Sequence, residues 1–256
     1  MTAADYRPNP PETPVNTWIF VRPSRTWRWT RSVIAGTALF IAMCASAAAE
    51  SRVALVIGNG AYQSVAGLPN PPNDAKDVAE VLHSLGFKVT LLVDADRARF
   101  LSEVHEFGKV ALTADVSLFY FGGHGLQAGG HNYLLPVDAE LRSVDDIEKQ
   151  TVALDEIMAA QAGGTGSHLV FLDACRNDPT RASKTPFHST GLARISKPQG
   201  FLIAYATQPD NVARDGAGRN SPFAHALLDH LATPGLDISS MMIEVRKDVI
   251  AATGSE

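Results

Sequence analysis

The feature that most constrains the fold is a repeated alternation of short apolar runs with longer segments of helical spacing. Four runs, residues 52–57, 116–121, 168–172 and 201–206, are continuously or nearly continuously apolar, as strands buried on both faces of a parallel sheet are. Helical spacing is present at residues 73–85, 96–112, 154–160, 222–231 and 238–252. Strands that alternate with helices form a mostly parallel sheet covered on both faces. The sequence therefore predicts an α/β fold, a three-layer α/β/α sandwich.

Local signals predict where these elements begin and end. Asn73 is the predicted N-cap of the first helix, which Gly86 ends. Ser221-Pro222 is a cap and first-turn signal for a later helix. Gly129-Gly130 predicts a hairpin turn. A further strand is predicted from alternating apolar residues, namely Phe87, Val89 and Leu91. Asp94-Ala-Asp96 is interpreted as a helix cap, and its acids would also suit calcium.

The first 49 residues have the pattern of a cleavable export signal. Four arginines precede an apolar run at residues 32–44, and small residues follow it up to Ala49. The run is short for a membrane span, which needs about 20 apolar residues. We therefore expect a leader at 1–49, a mature domain at 50–256, no stable membrane association after cleavage, and export to the bacterial periplasm or the medium.

Charge and cysteine content narrow the possible functions. The leader has five arginines and two acidic residues, so its removal takes the net charge from −5 to about −8, which argues against a nucleic-acid partner. Only Cys44 and Cys175 are present. A mature chain with one cysteine cannot form an internal disulfide. Cys175 is therefore either a reactive thiol or a small buried apolar residue.

Two of the predicted strands are followed directly by side chains that can carry chemistry. Gly122-Gly123-His124-Gly125 follows the third strand, and Asp173-Ala174-Cys175-Arg176 follows the fourth. Ligands of open α/β sheets bind beyond the carboxyl ends of the strands. If these strands are neighbours, His124 and Cys175 emerge at the same edge of the sheet.

This pair of residue types suits nucleophilic catalysis. An ordinary thiol, with a pKa of about 8.5, is little ionised at neutral pH, and an imidazole that takes its proton produces the nucleophile. The flanking glycines allow close approach of a peptide backbone. The amide groups of Gly125 and Cys175 are candidates for an oxyanion hole.

The same motifs resemble those of a known family. Phe119-Tyr-Phe-Gly-Gly-His-Gly125, Leu172-Asp-Ala-Cys-Arg176 and Asn73-Asp-Ala75 together are similar to the caspase-like cysteine peptidases, in particular the bacterial relatives of metacaspases. The resemblance implies a caspase-hemoglobinase fold, a His124/Cys175 dyad and polypeptide substrates. No cofactor is expected, and a calcium requirement is left open. The spacing of the histidine upstream of the cysteine is a recorded caspase signature.

The resemblance also implies a specificity pocket. Asp173 and Asp74 match acidic pocket positions of metacaspases, which cleave after arginine or lysine. A buried carboxylate pair is costly without a cation, so a substrate guanidinium or ammonium suits it. The basic segment 176–200 contains Arg181, Lys184 and Arg194, which are candidate self-cleavage sites.

Two other functions remain open at this stage. A caspase-like module that has lost catalysis would bind a peptide or act as a scaffold, although an intact His124 and Cys175 argue against it. A cysteine-dependent transferase would use the same dyad and differ in what attacks the acyl-enzyme. For Asp74 and Asp173 the structural alternatives are a first-turn helix acid stabilised by the helix dipole and a turn carboxylate.

Overall fold

The computed structural model describes residues 50–175, 192–193, 195, 199–206 and 218–254. The elements follow in the order β1 (Arg52–Gly58), α1 (Pro71–Ser84), β2 (Lys88–Val93), α2 (Arg97–Ala111), β3 (Val116–Ala128), β4 (His131–Leu134), α3 (Asp146–Gln150), β5 (Val152–Ala153), α4 (Leu154–Gln161), β6 (Ser167–Cys175), β7 (Phe201–Tyr205), α5 (Pro222–Leu231) and α6 (Ile238–Thr253).

The strands form one seven-stranded, mostly parallel sheet. Strand β1 pairs in parallel with β2 and β3, β3 with β6, and β6 with β7. The last residues of β3, 125–128, pair antiparallel with β4, which pairs antiparallel with β5. Five predicted strands thus run in parallel, and their carboxyl ends share one edge of the sheet.

The helices pack in two groups against the sheet. Helix α1 contacts β1, β2 and β3 and also α5, which packs on α6; helix α2 contacts β1 and α4. Apolar strand side chains fill the space between, and the largest of them, including Phe119, Phe121 and Phe171, are fully buried. Burial on both faces explains why β1, β3 and β6 are continuously apolar. The predicted α/β sandwich is confirmed.

The first helix begins earlier than predicted. It starts at Pro71, with Asn70 at the N-cap position, so the prediction of Asn73 as the N-cap is wrong. Proline has no N–H to satisfy and its φ is already helical, so it is tolerated in the first turn. The end is as predicted, because Gly86, with φ of 83°, follows the last turn.

Strand β2 differs from the predicted alternation. Phe87 and Leu92 are buried, whereas Leu91 is 37% exposed. Strand β2 lies at the edge of the sheet, where one row of side chains is less covered. The short elements α3 and β5 had no clear sequence signal. No helix within the described residues is long and apolar enough to cross a membrane.

Candidate functional site

The sheet brings the two motif-bearing strands side by side. Strands β3 and β6 are in continuous parallel register up to the pair Gly122 and Asp173. The next pair is Gly125 and Cys175, so β3 takes three steps where β6 takes two. One extra residue in β3 forms a bulge, a device that redirects side chains and is frequent beside active sites. The bulge places His124 next to the residue whose backbone pairs with Cys175.

Gly123 is the residue at which the bulge requires glycine. Its φ is 154°, and a Cβ there would lie 2.5 Å from Tyr62 Oη and 2.9 Å from the ring of Phe121. A Cβ atom essentially never comes this close to an atom outside its own residue and its chain neighbours, so any side chain would displace the aromatic rings. Gly125 is also confined, because its Cβ would lie 2.8 Å from the carbonyl oxygen of Ala174.

His124 is held by a loop from the other side of the site. Its imidazole is buried, with 6% of the residue exposed. Its backbone N–H donates to Tyr62 Oη at 2.7 Å, and its Nε2 lies 2.8 Å from the carbonyl oxygen of Ala66. A carbonyl only accepts, so Nε2 carries the hydrogen. In the neutral ring, Nδ1 is then the basic nitrogen.

Polar side chains tie this loop to the end of the sheet. The Asn59 amide donates to the carbonyl oxygen of Leu135 at 2.9 Å and accepts from the Ala95 N–H at 2.9 Å. Asp94 Oδ1 accepts from the N–H groups of Gly60 and Ala61 at 2.7 and 2.8 Å. The loop that carries Tyr62 and Ala66 is therefore fixed at its first residues, 59–61.

Asp74 and Asp173 meet at Ser221. Both carboxylates are buried, with 1% and 2% exposed. The Ser221 N–H donates to Asp74 Oδ1 at 3.1 Å, and its hydroxyl donates to Asp173 Oδ2. The Asn220 side chain donates to Asp74 at 3.0 Å and to Asp77 at 2.9 Å. The segment 218–221 thus joins an acid of α1 to an acid of β6.

Gly58 allows α1 to come close enough for this contact. A Cβ at Gly58 would lie 2.2 Å from the carbonyl oxygen of Pro71, whereas one at Gly122 would make an ordinary contact, 3.4 Å from the Pro71 Cβ. The first turn of α1 therefore rests directly on the carboxyl ends of β1 and β3. Asp74, in that turn, reaches the same side of the site as Asp173.

A third acid borders this pair. Asp77, one turn after Asp74, accepts from Arg219 Nε at 3.0 Å and Nη2 at 2.8 Å. These hydrogen bonds hold the pKa of Asp77 below its ordinary value, with smaller help from Asn220 and Lys76. The guanidinium of Arg219 therefore lies beside the acidic cluster, on the side of Asp77.

The other candidate residues fall into structural roles or outside the described residues. Asp96 caps α2 by accepting from the Arg99 N–H at 2.8 Å, which confirms the cap interpretation. No group of three or more metal-binding side chains occurs in the part of the chain that the structure describes. Arg181, Lys184 and Arg194 lie outside the described residues, as does the leader.

Several residues of the site were not found from the sequence. Tyr62 and Ala66 lie in a Gly- and Pro-rich loop without periodicity, and nothing in the sequence linked them to His124. Ser221 was recognised only as a helix cap. Asp77 had a usable signal, since residues three apart on a helix share a face.

Comparison with known proteins gives a consistent result. A family model described as a caspase domain matches residues 51–256. The mouse homolog of mucosa-associated lymphoid tissue lymphoma translocation protein 1 is 32% identical over 161 residues, which is 62% of this chain and 18% of that protein. The human protein is also 32% identical, over 62% of this chain and 19% of its own length. Mouse caspase-1 is 22% identical over 71% of this chain and 49% of that protein.

Solved structures agree on the fold. The crystal structure of caspase-1 from Spodoptera frugiperda superposes with a TM-score of 0.54 at 20% identity, covering 78% of this chain and 75% of that one. The chain spans from about a fifth to about half of the length of these curated relatives.

Proposed function

The chain belongs to the caspase-domain family of peptidases, and from that premise we propose that it is a cysteine endopeptidase that cleaves polypeptides after arginine or lysine. Cys175 is the nucleophile and His124 its general base. The supporting observation is the hydrogen bond from His124 Nε2 to the Ala66 carbonyl oxygen, which leaves Nδ1 as the basic nitrogen beside the strand that ends in Cys175.

The chemistry follows from these two groups. The thiol proton moves to His124 Nδ1, and the sulfur attacks the peptide carbonyl carbon, forming a C–S bond and an oxyanion. The amides of Gly125 and Cys175 donate to that oxyanion. The C–N bond then breaks as the imidazolium protonates the leaving amine. Water, deprotonated by the same imidazole, hydrolyses the thioester.

Asp74 and Asp173 support the preference for basic residues. Both are buried, Asp74 in the first turn of α1 and Asp173 in β6, two residues before Cys175. Asp74 accepts hydrogen bonds from Asn220 and Ser221, and Asp173 accepts one from Ser221. These shared donors hold the two carboxylates on the same side of the site. A substrate guanidinium would supply the cation that such a pair favours.

A labelling experiment tests the proposal. The full-length chain is treated with a peptide electrophile carrying arginine at the reactive position, and peptides with Arg, Lys, Asp or Ala at the cleavage site are assayed. We expect labelling and hydrolysis with Arg and Lys, and a loss of at least about 100-fold in Cys175→Ala and His124→Ala. His168→Gln, which alters another buried histidine, is the matched control and keeps the activity.

The outcomes separate the alternatives. Labelling that survives in both dyad variants would overturn the enzyme assignment. Hydrolysis after Asp and not after Arg or Lys would overturn the substrate preference alone. A folded protein that binds the peptide without labelling or hydrolysis would favour a noncatalytic module, and peptide products joined to an added amine would indicate a transferase.

A further inference from the structure

We propose that Tyr62 is a positioning residue for His124, which it fixes through its hydroxyl group. This proposal rests on the proposed peptidase function and adds a residue to its machinery. Tyr62 contacts His124 in two ways: its Oη accepts the backbone N–H at 2.7 Å, and its ring lies 4.7 Å from the imidazole centroid with a tilt of 51°.

The bulge in β3 explains why the hydroxyl is needed. The extra residue of a bulge has no place in the strand ladder, so the N–H of His124 needs an acceptor from elsewhere. Tyr62 Oη provides it. The fit is close, since a Cβ at Gly123 would lie 2.5 Å from the same oxygen, and the bulge accordingly has glycine at that position.

The loop thus holds His124 at two separate atoms. Tyr62 fixes the main chain at the backbone N–H, and the Ala66 carbonyl oxygen fixes the ring at Nε2. A ring restrained at Nε2 alone can still shift with its backbone. Fixing both ends sets the direction in which Nδ1 points, and a displacement of about 1 Å in a catalytic group can cost about 100-fold in rate.

A purely structural role for Tyr62 makes a different prediction. If only ring packing mattered, Tyr62→Phe would behave as wild type, because it keeps the ring and removes one oxygen. If the hydroxyl positions His124, the variant leaves a buried N–H without its acceptor, and the bulge relaxes to regain one. The imidazole then moves relative to Cys175.

The test combines turnover with a substrate-independent measure of the thiol. Both are made on the full-length chain carrying Cys44→Ser, in which Cys175 is the remaining cysteine. The pH dependence of alkylation by iodoacetamide reports how readily the thiol gives up its proton. Tyr133→Phe is the matched control, since Tyr133 belongs to the apolar cluster against which Tyr62 packs.

We expect Tyr62→Phe to lower kcat by about 10- to 100-fold with KM within about twofold. The alkylation midpoint should move upward toward the ordinary thiol value of about 8.5, as in His124→Ala. Tyr133→Phe should match wild type in both. Gly123→Ala, which pushes the phenol away without removing its oxygen, should shift both in the same direction as Tyr62→Phe.

The two proposals fail in different ways. A wild-type protein without peptidase activity, whose thiol titrates at the ordinary value, would remove the proposed function. An active wild type with a Tyr62→Phe variant of equal kcat and equal alkylation midpoint would overturn the role of Tyr62. Thermal unfolding of every variant is followed by circular dichroism. Turnover and alkylation are then compared only at temperatures at which all variants are folded.

Discussion

At the scale of single residues, a second buried histidine lies at the opposite end of the sheet from His124. His168, near the start of β6, is 3% exposed. Its Nδ1 lies 2.8 Å from the Ser117 hydroxyl, which itself accepts from the Gln161 amide at 3.1 Å. The Ser117 hydroxyl still has its hydrogen to donate to Nδ1, an arrangement that suits the neutral ring.

This environment predicts acid sensitivity. Burial lowers the pKa of His168 below its ordinary value of 6.5, and a hydrogen bond with the Gly164 backbone opposes the shift in part. Between the lowered folded pKa and 6.5, the unfolded chain then binds up to one proton more than the folded chain. Stability should therefore fall as the pH drops from 6.5 toward the lower folded pKa.

Urea unfolding between pH 7.5 and 5 measures this effect. We expect His168→Gln to reduce the dependence of the unfolding midpoint on pH in that window. Thr151→Val provides the control, since it also alters a buried polar side chain but removes no titratable group, and it should leave the wild-type slope unchanged. Equal slopes for all three proteins would contradict the assignment.

At the scale of elements, Ser221 joins two functions that usually belong to different residues. Its hydroxyl oxygen accepts from the Ala224 N–H at 2.9 Å and so caps α5. The same hydroxyl donates its hydrogen to Asp173. The start of a helix and the orientation of a buried carboxylate therefore depend on one oxygen atom.

Ser221→Ala should lower the free energy of unfolding by more than the loss of a helix cap alone. Removing a cap costs about 1 kcal/mol, and withdrawing a donor from a buried carboxylate adds about 1–3 kcal/mol. Asp237→Ala is the matched control, because Asp237 caps α6 through the N–H groups of Ser239 and Ser240 and contacts no acid of the site. Chemical denaturation compares the two variants, and equal losses would contradict a role for Ser221 beyond capping.

Sequence patterns predicted which helices and strands exist better than they predicted the residues at which these begin and end. Apolar continuity identified β1, β3 and β6 because both faces of these strands are buried. The same signal stops at Phe121, although β3 continues to Ala128, since glycines carry no hydropathy pattern. The start of α1 was misplaced because two prolines, read as loop residues, form its first turn.

The candidate site residues named from the sequence came from two signals, strand ends and family motifs. His124 and Cys175 were selected because each follows an apolar run, and Asp74 and Asp173 because they match family motifs. Tyr62, Ala66 and Asn220 reach the site through tertiary contacts across 58 or more positions. Nothing in local composition encodes such contacts.

At the scale of the whole molecule, the leader remains a prediction that can be tested directly. Expressed in a bacterium with its export machinery, the full-length chain should yield a mature protein that begins at Glu50 and is found outside the cytoplasm. N-terminal sequencing and cell fractionation measure both. Replacing the apolar residues Leu39 and Phe40 with aspartate should retain the chain in the cytoplasm. An uncut chain in the membrane fraction would instead indicate an anchor.

The two buried acids, Asp74 and Asp173, are distant in sequence from the residues that orient them. Asp74 belongs to the first helix, yet its donors Asn220 and Ser221 are synthesised 146 and 147 residues later. A ribosome-bound chain that has not reached residue 218 therefore has His124 and Cys175 but lacks the groups that orient Asp74 and Asp173, the two acids to which the proposed function assigns the basic-residue preference. Under the proposed function, a substrate's basic residue would be recognised only after about the last 15% of the chain, from residue 218 onward, has emerged and docked.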